Sequence, residues 1–217
     1  MNIKHHLNEQ LLMAYSAGTL PEAFNLVVAT HISLCDECRA ALTGFDTVGG
    51  SVLEECDGVA MDADALAATM ALIEDLQSDT VAEPQPAHKG TTVFPEPLRD
   101  YVGGDLSAVK WRSAGGGVRQ AILPTSKDAT VRLISIPPGA SVPDHGHRGM
   151  ELTLVLQGAF RDEHDRFGRG DIEVADEDMS HTPVAEEGMD CICLAATDAP
   201  LKFSALLPRI AQPFLRI

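Results

Sequence analysis

The spacing of apolar residues changes once along this chain, between about residues 80 and 95, and the change divides what the two parts can fold into. The first part reads as helices. "NEQLLMAYSAG" opens on an asparagine able to cap and ends at Gly18. "PEAFNLVVATHISL" begins with Pro21, suited to a first helical turn. "DECRAALTGFDTVGGSVLEEC" offers a cap at Asp36 and a weak point at Gly49-Gly50. In "DADALAATMALIEDLQSD", Leu66, Met70 and Ile73 recur at helical spacing, giving one apolar stripe with acids opposite. After the proline-bearing "SDTVAEPQPAHKGTT" come short strand-like runs: "VKWRS", "VRQAILP", "TVRLISI", "ELTLVLQG", "DIEVA", "DCICLAAT" and "LKFSALL". Glycine, proline and aspartate turns separate them. The expected fold class is α+β as two domains: an all-α bundle over residues 1–85, a linker over 86–95, and an all-β barrel over 96–217.

Bulk properties narrow the function. With 45% hydrophobic residues in 217, the chain can build real cores, and no apolar run reaches the ~18–20 residues of a membrane-spanning helix. The start, "MNIKHHLNEQLLMAYSAG", has no long apolar region of the kind secretory signals carry. The expectation is a cytoplasmic protein with no membrane association. In a reducing compartment, five cysteines favour metal ligation over a disulfide framework. The net charge of −16 is uneven: residues 1–85 hold Lys4 and Arg39 against fourteen acids, a net of −12. Such a surface repels nucleic acid and is steered toward a basic partner, including a protein that itself binds nucleic acid.

The stretch "THISLCDECR" spaces His31, Cys35 and Cys38 as His-x3-Cys-x2-Cys. Two thiolates and an imidazole are ligands that zinc prefers, and a closed tetrahedral site needs a fourth. His5 and His6 are the candidates, and His6 is favoured. Two other readings stand beside this one: a redox pair, disfavoured by the lack of a βαβ setting, and ordinary small core residues. An acidic helical domain with an early histidine and His-x3-Cys-x2-Cys resembles the zinc anti-sigma domain over about residues 1–80. That resemblance implies a structural zinc on His6, His31, Cys35 and Cys38. It also implies a helical bundle that clamps an extracytoplasmic-function sigma factor, with Leu66, Met70 and Ile73 touching sigma. Plain packing within the bundle is the other account of that stripe.

A second constellation, "GASVPDHGHRGMELTLVLQG", reads Gly139-x5-His145-x-His147-x3-Glu151-x6-Gly158. His145 and His147, two apart on extended chain, share one face. Glu151 opens the next strand, and His181 can close the set from a neighbouring one. Three imidazoles and a carboxylate suit Zn²⁺ or another divalent ion such as Mn²⁺, Fe²⁺ or Ni²⁺. The pattern resembles the cupin family over about residues 100–200. The first cupin motif matches at its defining positions. The second matches at Gly170 and His181 but has Asp176, Asp178 and Ala185 where the family usually has Pro, Gly and Asn. No nucleophile or acid–base pair stands out. His164 reads as a solvated turn residue, and Cys191 and Cys193 as lining one face of a strand.

A zinc anti-sigma domain followed by a cupin is similar to the cupin-containing anti-sigma factors of photosynthetic bacteria. The resemblance implies a non-enzymatic regulator in a 1:1 complex with an extracytoplasmic-function sigma factor. It further implies release under singlet oxygen or related oxidative stress, with the cupin domain needed for that response. The alternative is a metal-dependent cupin enzyme, of dioxygenase or isomerase type, carrying a small zinc accessory domain.

Overall fold

The computed structural model describes residues 2–75, 92–203 and 212. Four helices come first: α1 (Glu9–Ser16), α2 (Glu22–Leu34), α3 (Asp36–Glu54) and α4 (Ala65–Asp75). Asn8 caps α1 by accepting the Leu11 N–H at 2.9 Å, and Gly18 takes the left-handed conformation just beyond its end. Pro21 is the N-cap of α2. At α3 the cap is Cys35, not Asp36: its sulfur accepts the Cys38 N–H at 3.4 Å, and Asp36 falls in the first turn. The helix also runs through Gly49-Gly50 without a break. The expected helix over "DADALAATMALIEDLQSD" is present as α4, and residues 76–79 of that stretch lie outside the described residues.

The short α5 (Glu96–Val102) follows, absent from the sequence reading, and then twelve strands among the described residues. These are β1 (Arg112–Gly115), β2 (Val118–Leu123), β3 (Thr130–Ile136), β4 (His145–Gly146), β5 (Glu151–Gln157), β6 (Ala159–Arg161), β7 (Arg166–Gly168), β8 (Ile172–Ala175), β9 (Ser180–His181), β10 (Val184–Ala185), β11 (Cys191–Thr197) and β12 (Lys202–Phe203). A six-stranded antiparallel sheet runs β1-β2-β3-β11-β5-β8, and two three-stranded sheets, β10-β6-β7 and β12-β4-β9, complete the barrel.

The centre of the large sheet is buried on both faces, so β5 and β11 read as almost unbroken apolar runs. One face, with Leu133, Leu152, Leu154, Ile192 and Leu194, joins Phe24, Val27 and Val28 of α2 and Leu98 of α5 in a single core. The other face, with Ile136, Val155, Cys191 and Cys193, meets Phe160 and Phe167 inside the barrel. The helical part is therefore seated directly on the sheet. Glu22, in the first turn of α2, accepts from the Tyr101 hydroxyl at 2.9 Å and from the Ser126 N–H at 2.7 Å.

Part of the expected linker over 86–95 is structured: Phe94 is fully buried, and Asp105 accepts the N–H groups of Val93 and Phe94 at 2.9 and 3.1 Å. The rest of that linker, residues 86–91, lies outside the described residues. No helix among the described residues is long and apolar enough to cross a membrane.

Candidate metal centres

The first centre is built where α2 hands over to α3. His31 lies in the last turn of α2, Cys35 caps α3, and Cys38 lies one turn into it. The extended chain before α1 brings His6 across them. His6 Nδ1 is 3.3 Å from Cys35 Sγ and 3.7 Å from Cys38 Sγ, and His31 Nε2 is 3.3 Å from Cys38 Sγ. All four donor atoms lie within 4.8 Å of one another. Zinc bonds of ~2.0–2.3 Å in a tetrahedron separate its donors by ~3.3–3.8 Å, so this set fits zinc as it stands.

The electrostatics agree with a ligand site. Burial pulls His31 down to about 4, leaving a neutral ring at pH 7. Burial pushes the Cys38 thiol up to about 11. A bound cation beside it would favour the Cys38 thiolate, the form that ligates a metal. His5 takes no part: its ring lies 4.4 Å from that of Phe167, with Nε2 3.6 Å from Asp165.

The second centre lies inside the barrel. The β4–β9 register sets His145 directly opposite His181. His145 Nδ1 is 2.9 Å from the Pro143 carbonyl, which can only accept, so Nδ1 holds the proton and Nε2 faces inward. Its Nε2 is 3.2 Å from His181 Nε2. Either a proton or a cation must lie between two such atoms. His147 makes the three rings a candidate cation site: it is buried, completes the triangle of imidazoles, and has no hydrogen-bond partner at either ring nitrogen. Burial lowers both His145 and His147, with Glu151 opposing, so both rings are available as neutral ligands. Glu151 stands beside this triangle rather than within it. Its Oε2 is 3.8 Å from His147 Nδ1, and its Oε1 accepts from the Thr153 hydroxyl at 2.9 Å.

Behind His181 is a carboxylate pair that the sequence reading missed. His181 Nδ1 lies 3.0 Å from both Asp162 Oδ2 and Glu173 Oε1. Burial works to raise Asp162, but the N–H groups of Asp165 and His164 carry it down to about 2. Burial pushes Glu173 up to about 7. Of the two, Asp162 is therefore the more readily ionised. Burial opposes charge on His181, but the hydrogen bonds of Glu173 and Asp162 outweigh it and raise the ring to about 9. A carboxylate behind the far nitrogen of an imidazole orients it toward a metal. The signal was present in "DIEVA": Asp171 and Glu173 alternate onto one face of a strand whose other face is apolar.

The remaining expected residues divide clearly. Cys191 and Cys193 are buried, with sulfurs 3.6 Å apart, and His164 is an exposed turn residue. Leu66, Met70 and Ile73 are 74, 48 and 55% exposed, and α4 buries none of its side chains. Packing within a bundle therefore does not account for that stripe.

Residues 100–199 match the ChrR cupin-like domain family. Over its whole length of 217 residues the chain is 60% identical to the anti-sigma-E factor ChrR of Cereibacter sphaeroides, covering 100% of both. It is also similar to the anti-sigma ChrR solved in complex with SigE of Rhodobacter sphaeroides. That match has 59% identity and a TM-score of 0.79, and covers 91% of this chain and 100% of that one.

Proposed function

Because the chain belongs to the ChrR family of anti-sigma factors, we propose that it binds and inhibits an extracytoplasmic-function sigma factor as a 1:1 complex. Full-length identity to a regulator sets aside the reading as a cupin enzyme. One observation carries the proposal. Among the described residues twelve large apolar side chains are exposed, and nine of them fall between Val48 and Ile73, on the second half of α3, the turn beyond it and α4. Scattered exposed apolar residues are ordinary, whereas a run concentrated on one segment marks a binding surface. The acids in the same segment would speed encounter with a basic partner, and the apolar face would hold it.

The metal centres divide the work. Zinc on His6, His31, Cys35 and Cys38 would tie the chain start, α2 and α3 together, supplying folding free energy where α3 buries little beyond Cys38 and Leu42. A divalent ion on His145, His147 and His181, with Glu151 as the further ligand, would brace the barrel interior. The cupin part is needed for release of sigma under singlet oxygen or related oxidative stress. This regulator would work in the cytoplasm without touching nucleic acid or membrane. Co-expression with a sigma factor, followed by size-exclusion chromatography and metal analysis, tests the reading. A stable 1:1 complex carrying zinc supports it, and elution as separate proteins sinks it.

A further inference from the structure

Of the four candidate zinc ligands, His6 lies farthest from a helix. His31 and Cys38 belong to α2 and α3 and Cys35 joins those helices, whereas residues 2–8 form neither helix nor strand. What fixes the chain ahead of His6 comes from the barrel. The His5 N–H donates to Asp171 Oδ1 at 3.1 Å, and its carbonyl accepts the Ile172 N–H at 3.3 Å. Its ring lies 4.4 Å from that of Phe167, with Nε2 3.6 Å from Asp165 Oδ2. Lys4 adds one more bond, its N–H donating to the same Asp171 oxygen at 2.6 Å. Beyond His6, Leu7 is buried in the core and Asn8 caps α1. His6 thus stands between one neighbour fixed by the barrel and one fixed by the helices.

Asp171 is itself firmly set and only 4% exposed. Its Oδ2 accepts the Gly168 N–H at 2.8 Å, and its own N–H donates to the Gly168 carbonyl at 2.9 Å. Its carbonyl accepts the Val155 N–H of β5 at 3.0 Å. One carboxylate oxygen is therefore committed to the barrel, and the other faces the start of the chain. Next to it, the Gly170 carbonyl acts on a second ligand candidate, His31, opposing the effect of burial on that ring. The connection from β7 to β8 thus borders the zinc centre with a carboxylate behind His5 and a carbonyl beside His31. Groups placed behind a metal's ligands hold them in position, and their loss costs ~10–100-fold in metal affinity. A chain already anchored also has less freedom to lose when its ligand closes on the metal.

We propose that Asp171 is a positioning residue for the first metal centre: it fixes Lys4 and His5 so that His6 Nδ1 is held against the two sulfurs, which makes zinc affinity in the helical part depend on the barrel. This rests on the zinc reading of His6, His31, Cys35 and Cys38.

The test loads the full-length protein with Co²⁺, whose thiolate charge-transfer absorption reports the centre holding Cys35 and Cys38, and titrates a chelator against that band. Asp171→Ala should weaken cobalt binding there at least ~10-fold. In a His6→Ala background, where three ligands remain, the same substitution should change nothing, because its effect runs through His6. Unchanged affinity in Asp171→Ala overturns the proposal. So does an equal loss with and without His6, which is what a general loss of stability produces. Should Asp171→Ala not fold, the same cycle is run with Lys4→Pro, which removes the N–H that Asp171 holds and alters no barrel residue. A loss that requires His6 supports the proposal, and native affinity contradicts it. Absence of the thiolate band from the native protein overturns the zinc reading, and this proposal with it.

Discussion

Asp171 accepts the His5 N–H on its Oδ1 at 3.1 Å, and so joins the barrel to the residue just ahead of the zinc candidate His6. The same oxygen accepts the Lys4 N–H at 2.6 Å, and the Ile172 N–H donates back to the His5 carbonyl at 3.3 Å. Two residues on, Glu173 bonds His181 of the barrel centre. One short strand, β8 with the residue before it, therefore touches the surroundings of both metal centres.

Replacing Asp171 should loosen this seam. Asp171→Ala leaves the N–H groups of Lys4, His5 and Gly168 without their acceptor in a buried place. The expected cost is about 2–4 kcal/mol, since each acceptor lost to a buried donor costs ~1–3 kcal/mol and some donors will find water. Denaturant unfolding checks the stability, and hydrogen exchange over residues 2–8 checks the place. Unchanged exchange there would show the seam to be idle.

Disrupting the first centre should cost both metal and partner. His31→Ala or Cys35→Ala is expected to lower bound zinc by about one per chain and to weaken sigma binding at least ~10-fold, because metal binding and folding of this region are coupled. Elemental analysis and circular dichroism report the first effect, a binding titration the second. Full sigma affinity in a zinc-free variant would show that zinc does not shape the surface.

The apolar face can be tested without touching the fold. Met70→Asp or Ile73→Asp should weaken sigma binding by ~10–100-fold, the range of interface hot spots, while shifting stability by no more than about 0.5 kcal/mol. Thermal melting of the free variants separates the two effects. Normal binding by the Met70→Asp, Ile73→Asp double variant would place the interface elsewhere.

In the barrel, His145→Ala, His147→Ala or Glu151→Ala should leave sigma binding intact and blunt the response to singlet oxygen. Glu173→Gln keeps the shape but alters the group behind His181, and should weaken metal affinity there by ~10–100-fold. A competition titration with a chelator measures it. A Glu173→Gln protein with native affinity would remove the carboxylate pair from the metal's support.

The metal motifs were legible because their ligands are local: His31, Cys35 and Cys38 span a single helix junction. Strands such as "ELTLVLQ" and "CICLAAT" could be read from length and bounding turns, although burial on both faces hides their alternation. Three things were not legible. The seven-residue α5 is too short to show a period and buries little besides Leu98. How far the weak point at Gly49-Gly50 would affect the helix was not legible either: two exposed glycines weaken a helix by only ~1 kcal/mol each, and α3 runs through them. Asp162, Glu173 and Asp171 act through partners from other segments, so no local spacing announces them. Only Glu173, flanked by Ile172 and Val174 in "DIEVA", hinted that the barrel interior holds a charged group.

In the proposed complex, a zinc-bound N-terminal region presents the apolar face of Val48–Ile73 to a sigma factor. The direct measurement is co-expression of the full chain, in turn, with each extracytoplasmic-function sigma factor of its own genome, followed by light scattering and elemental analysis of the purified material. One of them should elute with the chain as a 1:1 complex holding zinc, and Cys35→Ala should elute free of both. A chain that elutes alone with every sigma factor, or a Cys35→Ala variant that still forms the complex without zinc, would contradict it.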